Sequence, residues 1–327
     1  MGKISKEDIK DRAFASLIGL AIGDSIGDQA RSPKNHTLYG ITRDMHENSS
    51  WSTDDTEFAL LVALELLESG GDLTHQHVLE AWEKHVLPQD DLGEKGGESE
   101  IGAVINLRRG VKPPFSGMDN SYNDSDGAAM RITPIGIACA GDPDRAARLA
   151  EVDASISHCR DGIWGAQAVA AGVAVAMTGA SVDDIVSAAR SFIPKESWLG
   201  RFFDRAMTIV DQSEGNLWKA WTPLHTELKT VYRASCAEAI SETFALFRLT
   251  EGEFVEGVLT ASNFGRDADT LAAIVGALAG ARNGTAEIPK DWIQKVRRPT
   301  GRCLAFASEL DIKDVAENLA DLAIARE

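Results

Sequence analysis

The sequence predicts an all-α protein, a single compact multi-helix domain over residues 1–327. Three observations predict it. Apolar residues recur at the helical period of about 3.6 through segment after segment. Strand signals are weak, with no alternation of strands and helices and no fixed-period repeat. Aromatic residues are only 6% of the chain while alanine abounds, which favours closely packed helices.

The elements follow in order. "KEDIKDRAFASLIGLAIGDSIG" puts Ile9, Ala13, Leu17 and Leu20 on one stripe, and Gly19 and Gly23, four apart, admit a second backbone. "TEFALLVALELLESGG" is a helix ending at a glycine pair. "LTHQHVLEAWEKHVLP" reads as a helix capped by Thr74 and closed before Pro88. Residues 88–130 are rich in Gly, Pro, Asp, Asn and Ser and predict loops around one short helix at 100–109. Helical periodicity resumes at 143–157, 161–180, 181–193, 197–212, 236–249, 253–263, 269–284 and 311–327. Around a dozen helices are expected, with polar loops gathered on one side.

Composition narrows the function classes. Hydrophobic residues at 44% and charged residues at 25% are ordinary for a soluble globular chain. The net charge of −17 repels phosphate backbones and argues against nucleic acid as a partner. An anionic substrate would then need a local positive device, such as metal ions or helix N-termini. No segment reaches the roughly 18 apolar residues of a membrane span, so no membrane partner is expected. Cys139, Cys159, Cys236 and Cys303 form no CxxC pair. With no signal-peptide pattern, free thiols and a cytoplasmic location are expected.

Two short stretches carry the chemistry. Residues 51–57, "WSTDDTE", crowd Thr53, Asp54, Asp55, Thr56 and Glu57 against an apolar helix. A helix cap accounts for one or two of these, with Asp54 and Glu57 as a capping box. Residues 263–270, "NFGRDADT", repeat the arrangement, with Asp267, Asp269 and Thr270 at the mouth of another apolar helix. Asp267 and Asp269 would diverge by about 200° on a regular helix, but at a helix entry they can converge. If the two clusters meet, their carboxylates repel one another unless a cation neutralises them. Oxygen donors without His or Cys select Mg²⁺, Mn²⁺ or Ca²⁺. Two readings stand at this point: two capped helices, or a di-metal site.

Five stretches, in order, are similar to the motifs of the ADP-ribosylglycohydrolase family. They are "GLAIGDSIGD" at 19–28, "WSTDDTEFAL" at 51–60, "SDGAAMRITPIG" at 125–136, "ISHCRDGIWGAQAVA" at 156–170 and "GRDADTLAAIVGALAGA" at 265–281. The resemblance implies the family's all-α fold and hydrolysis of a glycosidic bond to the ribose of ADP-ribose, often on arginine. It implies two divalent cations, Mg²⁺ or Mn²⁺, on Thr53, Asp54, Asp55, Asp267, Asp269 and Thr270. Asp54, Asp55 and Asp269 are the implied catalytic residues. Asp126, Gly127 and His158 are the implied substrate contacts. The 125–131 loop would offer backbone amides to the pyrophosphate.

Four positions depart from the family's usual residues. Arg266 stands where Gly is common, Ala268 where Thr is, and Asp126 where Asn is. Arg31 stands where the family often has a Glu that gates the metal centre. Either the usual substrate is not turned over, or that role passes to Asp28 or Glu47. His75 and His77 diverge on a helix and read as solvated surface. Asp24 is expected to bond nearby helix ends, and Trp51 to pack or to stack on a substrate ring. The resulting expectation is a metal-dependent hydrolase acting on an ADP-ribosylated protein or ADP-ribosyl compound. An N-glycosidase for a smaller riboside is one alternative. The other is an immunity protein that blocks an ADP-ribosyltransferase toxin by contact.

Overall fold

Two helices, Lys6–Ala30 and Ala268–Asn283, form the centre of the molecule. The structure, a computed structural model, describes residues 4–46, 51–89 and 92–326. Burial is unbroken from residue 15 to 27 on the first helix and from 268 to 281 on the second. A helix so enclosed carries apolar or small residues on every face. The seam between the two is built from the small ones. A Cβ at Gly23 would lie 2.1 Å from the Ala272 carbonyl oxygen, and one at Gly276 would lie 2.2 Å from that of Gly19. The close approach expected at Gly19 and Gly23 is therefore present, and Gly27 extends it by one more turn.

The fold is all-α. Among the described residues there is no strand, only an isolated bridge between Ser125 and Ser235. Phe254–Phe264 packs on the second central helix, and Asp161–Ala176 packs between Pro143–Ala154 and Val182–Ser191. One apolar core runs from Ile9 to Ala323, so the C-terminal helix Ile312–Ile324 belongs to it. Thr74 caps His75–His85 as expected, accepting from the His77 amide. The short helix expected at 100–109 is Glu98–Arg108.

Among the described residues helices outnumber the expected dozen, because short ones stand where no helical period was read. Pro33–Tyr39, Gly127–Arg131 and Thr133–Ala138 are too brief to show a period. Leu217–Glu227 was hidden by Pro223, which reads as a helix breaker in sequence. All four cysteines are free thiols. No helix among the described residues is long and apolar enough to cross a membrane.

Candidate active site

Three helix ends meet at one cavity of about 310 Å³. Asp28 and Arg31 come from the C-terminal end of Lys6–Ala30 and its cap. Thr53, Asp54 and Asp55 come from the start of Asp54–Glu68. Asp267, Asp269 and Thr270 come from the start of Ala268–Asn283. Asp126 and Gly127 reach it from the short helix Gly127–Arg131, whose N-cap is Asp126. The two acidic clusters, more than 200 residues apart in sequence, thus share one wall-to-wall space.

The helix mouth at 53–57 is capped, but not from within. Thr53 holds the N-cap position without a side-chain cap bond, so the Asp54 and Glu57 capping box does not form. Asp24, one turn before Asp28 on the central helix, does the work instead. It accepts from the Thr53 amide at 2.9 Å and the Thr53 hydroxyl at 2.6 Å, and from the amide and hydroxyl of Thr56. Asp24 therefore bonds a nearby helix end, as expected. Glu57 has a separate task. It accepts from Ser52 Oγ at 2.5 Å and from the amides of Arg302, Cys303 and Leu304 at 2.7–2.8 Å. That clamp brings Arg302 and Cys303 to the cavity wall.

Asp54 and Asp55 are thereby free of capping. Asp55 is 1% exposed, and its Oδ1 has no hydrogen-bond partner. Burial, then Asp269 and Asp24, holds its carboxyl well above the usual range. Burial and Glu100 push Asp54 up to about 7, while burial lifts Asp24 to about 6 against its bonds from Thr53 and Thr56. Asp269 is raised by burial, with Arg31 opposing. Asp126 is raised by burial and by Asp267, and its Oδ2 has no partner. The cavity concentrates more negative charge than the chain itself neutralises.

These shifts set a pH dependence. The folded carboxyls of Asp24 and Asp54 hold protons more tightly than the unfolded chain, whose value is 3.8. Ionising them in the folded state therefore costs stability as pH rises from about 4 through about 7. Metal-free protein should melt higher at about pH 5 than at about pH 8 in scanning calorimetry. A melting temperature that climbs over that interval would contradict this account of the site.

His158 is the one candidate that does not reach this cavity. It is fully buried, with Nε2 2.9 Å from Ser125 Oγ and Nδ1 2.7 Å from Ser157 Oγ. Burial, reinforced by Arg131, drives its pKa well down, so the ring is neutral. Arg131 donates to Ser157 Oγ at 3.0 Å, so that hydroxyl links the guanidinium to Nδ1 of His158. The direct substrate contact expected of His158 is replaced by support of Ser125, which does line the cavity. His158→Ala should cost about 2 kcal/mol in urea unfolding, because two buried hydroxyls lose partners.

The other expectations sort as follows. Trp51 donates from Nε1 to Asp28 Oδ2 at 2.7 Å, so its ring is anchored by that bond. The Asp126 amide is committed to the Ala234 carbonyl, so it is not available to a phosphate. Gly127 is needed for space, since a Cβ there would lie 2.4 Å from Ser99 Oγ. Arg266 adopts φ +60° and turns to Glu238 and the Thr230 carbonyl, bracing the segment that carries Arg233. Glu47 lies outside the described residues. His75 is exposed at the start of its helix. Sequence reasoning missed Glu100, Tyr232, Arg233 and Arg302 on the cavity wall, which belong to no expected motif position.

The match to the ADP-ribosylglycohydrolase family model runs over residues 5–327, nearly the whole chain. The chain belongs to the ADP-ribosylglycohydrolase family. It is 26% identical to ADP-ribosylarginine hydrolase Tri1 of Pseudomonas putida, over 90% of this chain and 76% of that one. It is 24% identical to the ADP-ribosyl-[dinitrogen reductase] glycohydrolase of Rhodospirillum rubrum, over 91% of this chain and 97% of the relative. A solved structure, an ADP-ribosylglycohydrolase-related protein complex, shares its fold, with a TM-score of 0.67 at 21% identity. That match covers 97% of this chain and 99% of the other. As a member of this family the protein is an enzyme, a hydrolase acting on glycosidic bonds.

Proposed function

We propose that this enzyme releases ADP-ribose from modified arginine side chains, using divalent cation chemistry at the 53–55 and 267–270 clusters. The carrying observation is the buried, unpartnered Asp55 Oδ1 on the wall of the cavity shared by both clusters. A buried carboxylate oxygen without a donor is costly, and a bound cation would offset that cost. The relatives named for ADP-ribosylarginine and ADP-ribosyl-dinitrogen reductase support the substrate class.

Thr53, Asp54 and Asp55 suit a hard cation, since all offer oxygen. On the far wall Asp267 and Asp269 also offer oxygen, but Arg31 and Arg233 already pair with them. Among the described residues no three His, Cys, Asp or Glu side chains close into a ready metal cage. A divalent cation in this setting supplies Lewis acidity and a nucleophilic water at neutral pH. The chain's own residues do the rest. Asp54, on the cavity wall beside Asp55, offers a carboxylate that can accept a proton from water. Arg302 and Arg233, on the wall of the same cavity, supply positive charge for a diphosphate in an otherwise acidic protein.

The test is release of ADP-ribose from an ADP-ribosylated arginine peptide before and after EDTA treatment. Activity lost to EDTA and restored by Mg²⁺ or Mn²⁺ is expected. Unchanged release after EDTA would remove the cation from the reading. Cleavage of a simple riboside, or of another modified residue, in preference to arginine would remove the substrate assignment.

A further inference from the structure

The two acidic walls of the cavity are not alike. On the 267–270 wall every carboxylate oxygen has a partner. Arg31 Nη1 lies 2.7 Å from Asp269 Oδ1, 2.6 Å from Asp269 Oδ2 and 3.5 Å from Asp267 Oδ1. Arg233 Nε donates to Asp267 Oδ1 at 3.0 Å, and Thr270 Oγ1 donates to Asp267 Oδ2 at 3.2 Å. On the 53–55 wall, Asp55 Oδ1 is buried with no partner among the described residues. One wall carries its own cation, and the other lacks one.

Arg31 is built into its place. Its Nε and Nη2 both donate to Asp28 Oδ1, at 3.1 and 2.8 Å, which fixes the guanidinium plane. Asp28 is fixed in turn by the Trp51 indole on its other oxygen. With Asp28 behind it, the guanidinium presents Nη1 to Asp269, which grips that nitrogen with both oxygens. The side chain is 27% exposed, so this contact is shielded from much of the solvent. A guanidinium stays charged at every accessible pH and is more weakly hydrated than an ammonium, which suits it to such a position. It adds one positive charge where a divalent ion would add two.

We infer that Arg31 takes the place of one of two divalent cations, so that this enzyme holds a single ion, on the Asp54 and Asp55 side. The inference rests on the cation reading of the proposed function and sharpens its stoichiometry. It also gives Asp28 a positioning role, since Asp28 holds Nε and Nη2 while Asp269 and Asp267 meet Nη1.

The experiment counts manganese. Wild type and Arg31→Gln are each dialysed to equilibrium against Mn²⁺, and bound metal per chain is measured by mass spectrometry. Electron paramagnetic resonance reports whether bound ions are close enough to couple. Wild type is expected to hold one uncoupled ion, and Arg31→Gln one more, with the broadened spectrum of a coupled pair. Two ions on wild type would overturn the inference and leave cation-dependent hydrolysis standing. Equal counts in wild type and a folded variant would overturn it equally. No ion on wild type would overturn both this inference and the cation reading. The wild-type count needs no variant, so the test survives a variant that does not fold.

Discussion

Asp55→Asn should cut ADP-ribose release severely while raising the melting temperature of the metal-free protein. The two effects have one cause. Asp55 is 1% exposed in the first turn of Asp54–Glu68, and among the described residues nothing donates to its Oδ1. Its Oδ2 lies 3.5 Å from the Thr53 hydroxyl, which stands nearer to Asp24 at 2.6 Å. Asp54, Asp267 and Asp269 crowd it with like charge. An amide of the same shape carries no charge to neutralise on burial, so the proton uptake that the crowded site forces on Asp55 is no longer needed. A gain of about 1 kcal/mol would appear as a rise of roughly 2 °C. Function should move the other way, because the amide is a poor cation ligand. A fall in kcat/KM of about a thousandfold, near 4 kcal/mol of transition-state stabilisation, is expected. Thermal melts in EDTA and a product-release assay check the pair together. Loss of stability along with activity would make Asp55 a structural residue and nothing more.

What was legible in the sequence follows the range of the interactions. Asp54, Asp55, Asp267 and Asp269 stood out because each cluster is local, with more oxygen than a helix mouth can use. The glycine seam was legible for the same reason, as Gly19 and Gly23 lie on one helical face. Glu57 was not. Beyond Ser52, it binds amides 245 to 247 residues away, and no local pattern announces them. Read locally, Glu57 is a plausible capping residue, because nothing in the segment shows that Asp24 fills that role from another helix. Arg31 was legible as a departure but not as a cation within bonding distance of Asp269, 238 residues on. His158 was misplaced by one layer of side chains, a distance that sequence position does not encode. Only packing distinguishes a residue that touches the cavity from one that holds a residue that does.

The glycine seam makes the link between packing and chemistry testable. Gly19 and Gly27 lie two turns apart on the Lys6–Ala30 helix, about 12 Å along its axis. A Cβ at Gly19 would meet the Gly276 carbonyl oxygen at 2.3 Å, and one at Gly27 would meet that of Ala268 at 2.4 Å. Neither neighbour is a flexible side chain, so either alanine must push the two helices apart. Both Gly19→Ala and Gly27→Ala should therefore cost about 3 kcal/mol in urea unfolding, as overpacked cores do. Their activities should differ. The Cβ at Gly27 would also lie 2.5 Å from the Asp269 Cα, so the displacement falls on the cavity wall itself. Shifting Asp269 by a fraction of an ångström from Asp55 and Arg31 should lower kcat by roughly tenfold to a hundredfold under conditions where the variant remains folded. Gly19→Ala, strained where no site residue stands, should keep kcat within about threefold of wild type under the same conditions. Equal loss of kcat in both would mean that the seam transmits its strain along the whole helix. In that case the geometry of the site would depend on the rigidity of the helix pair rather than on the local fit at Gly27.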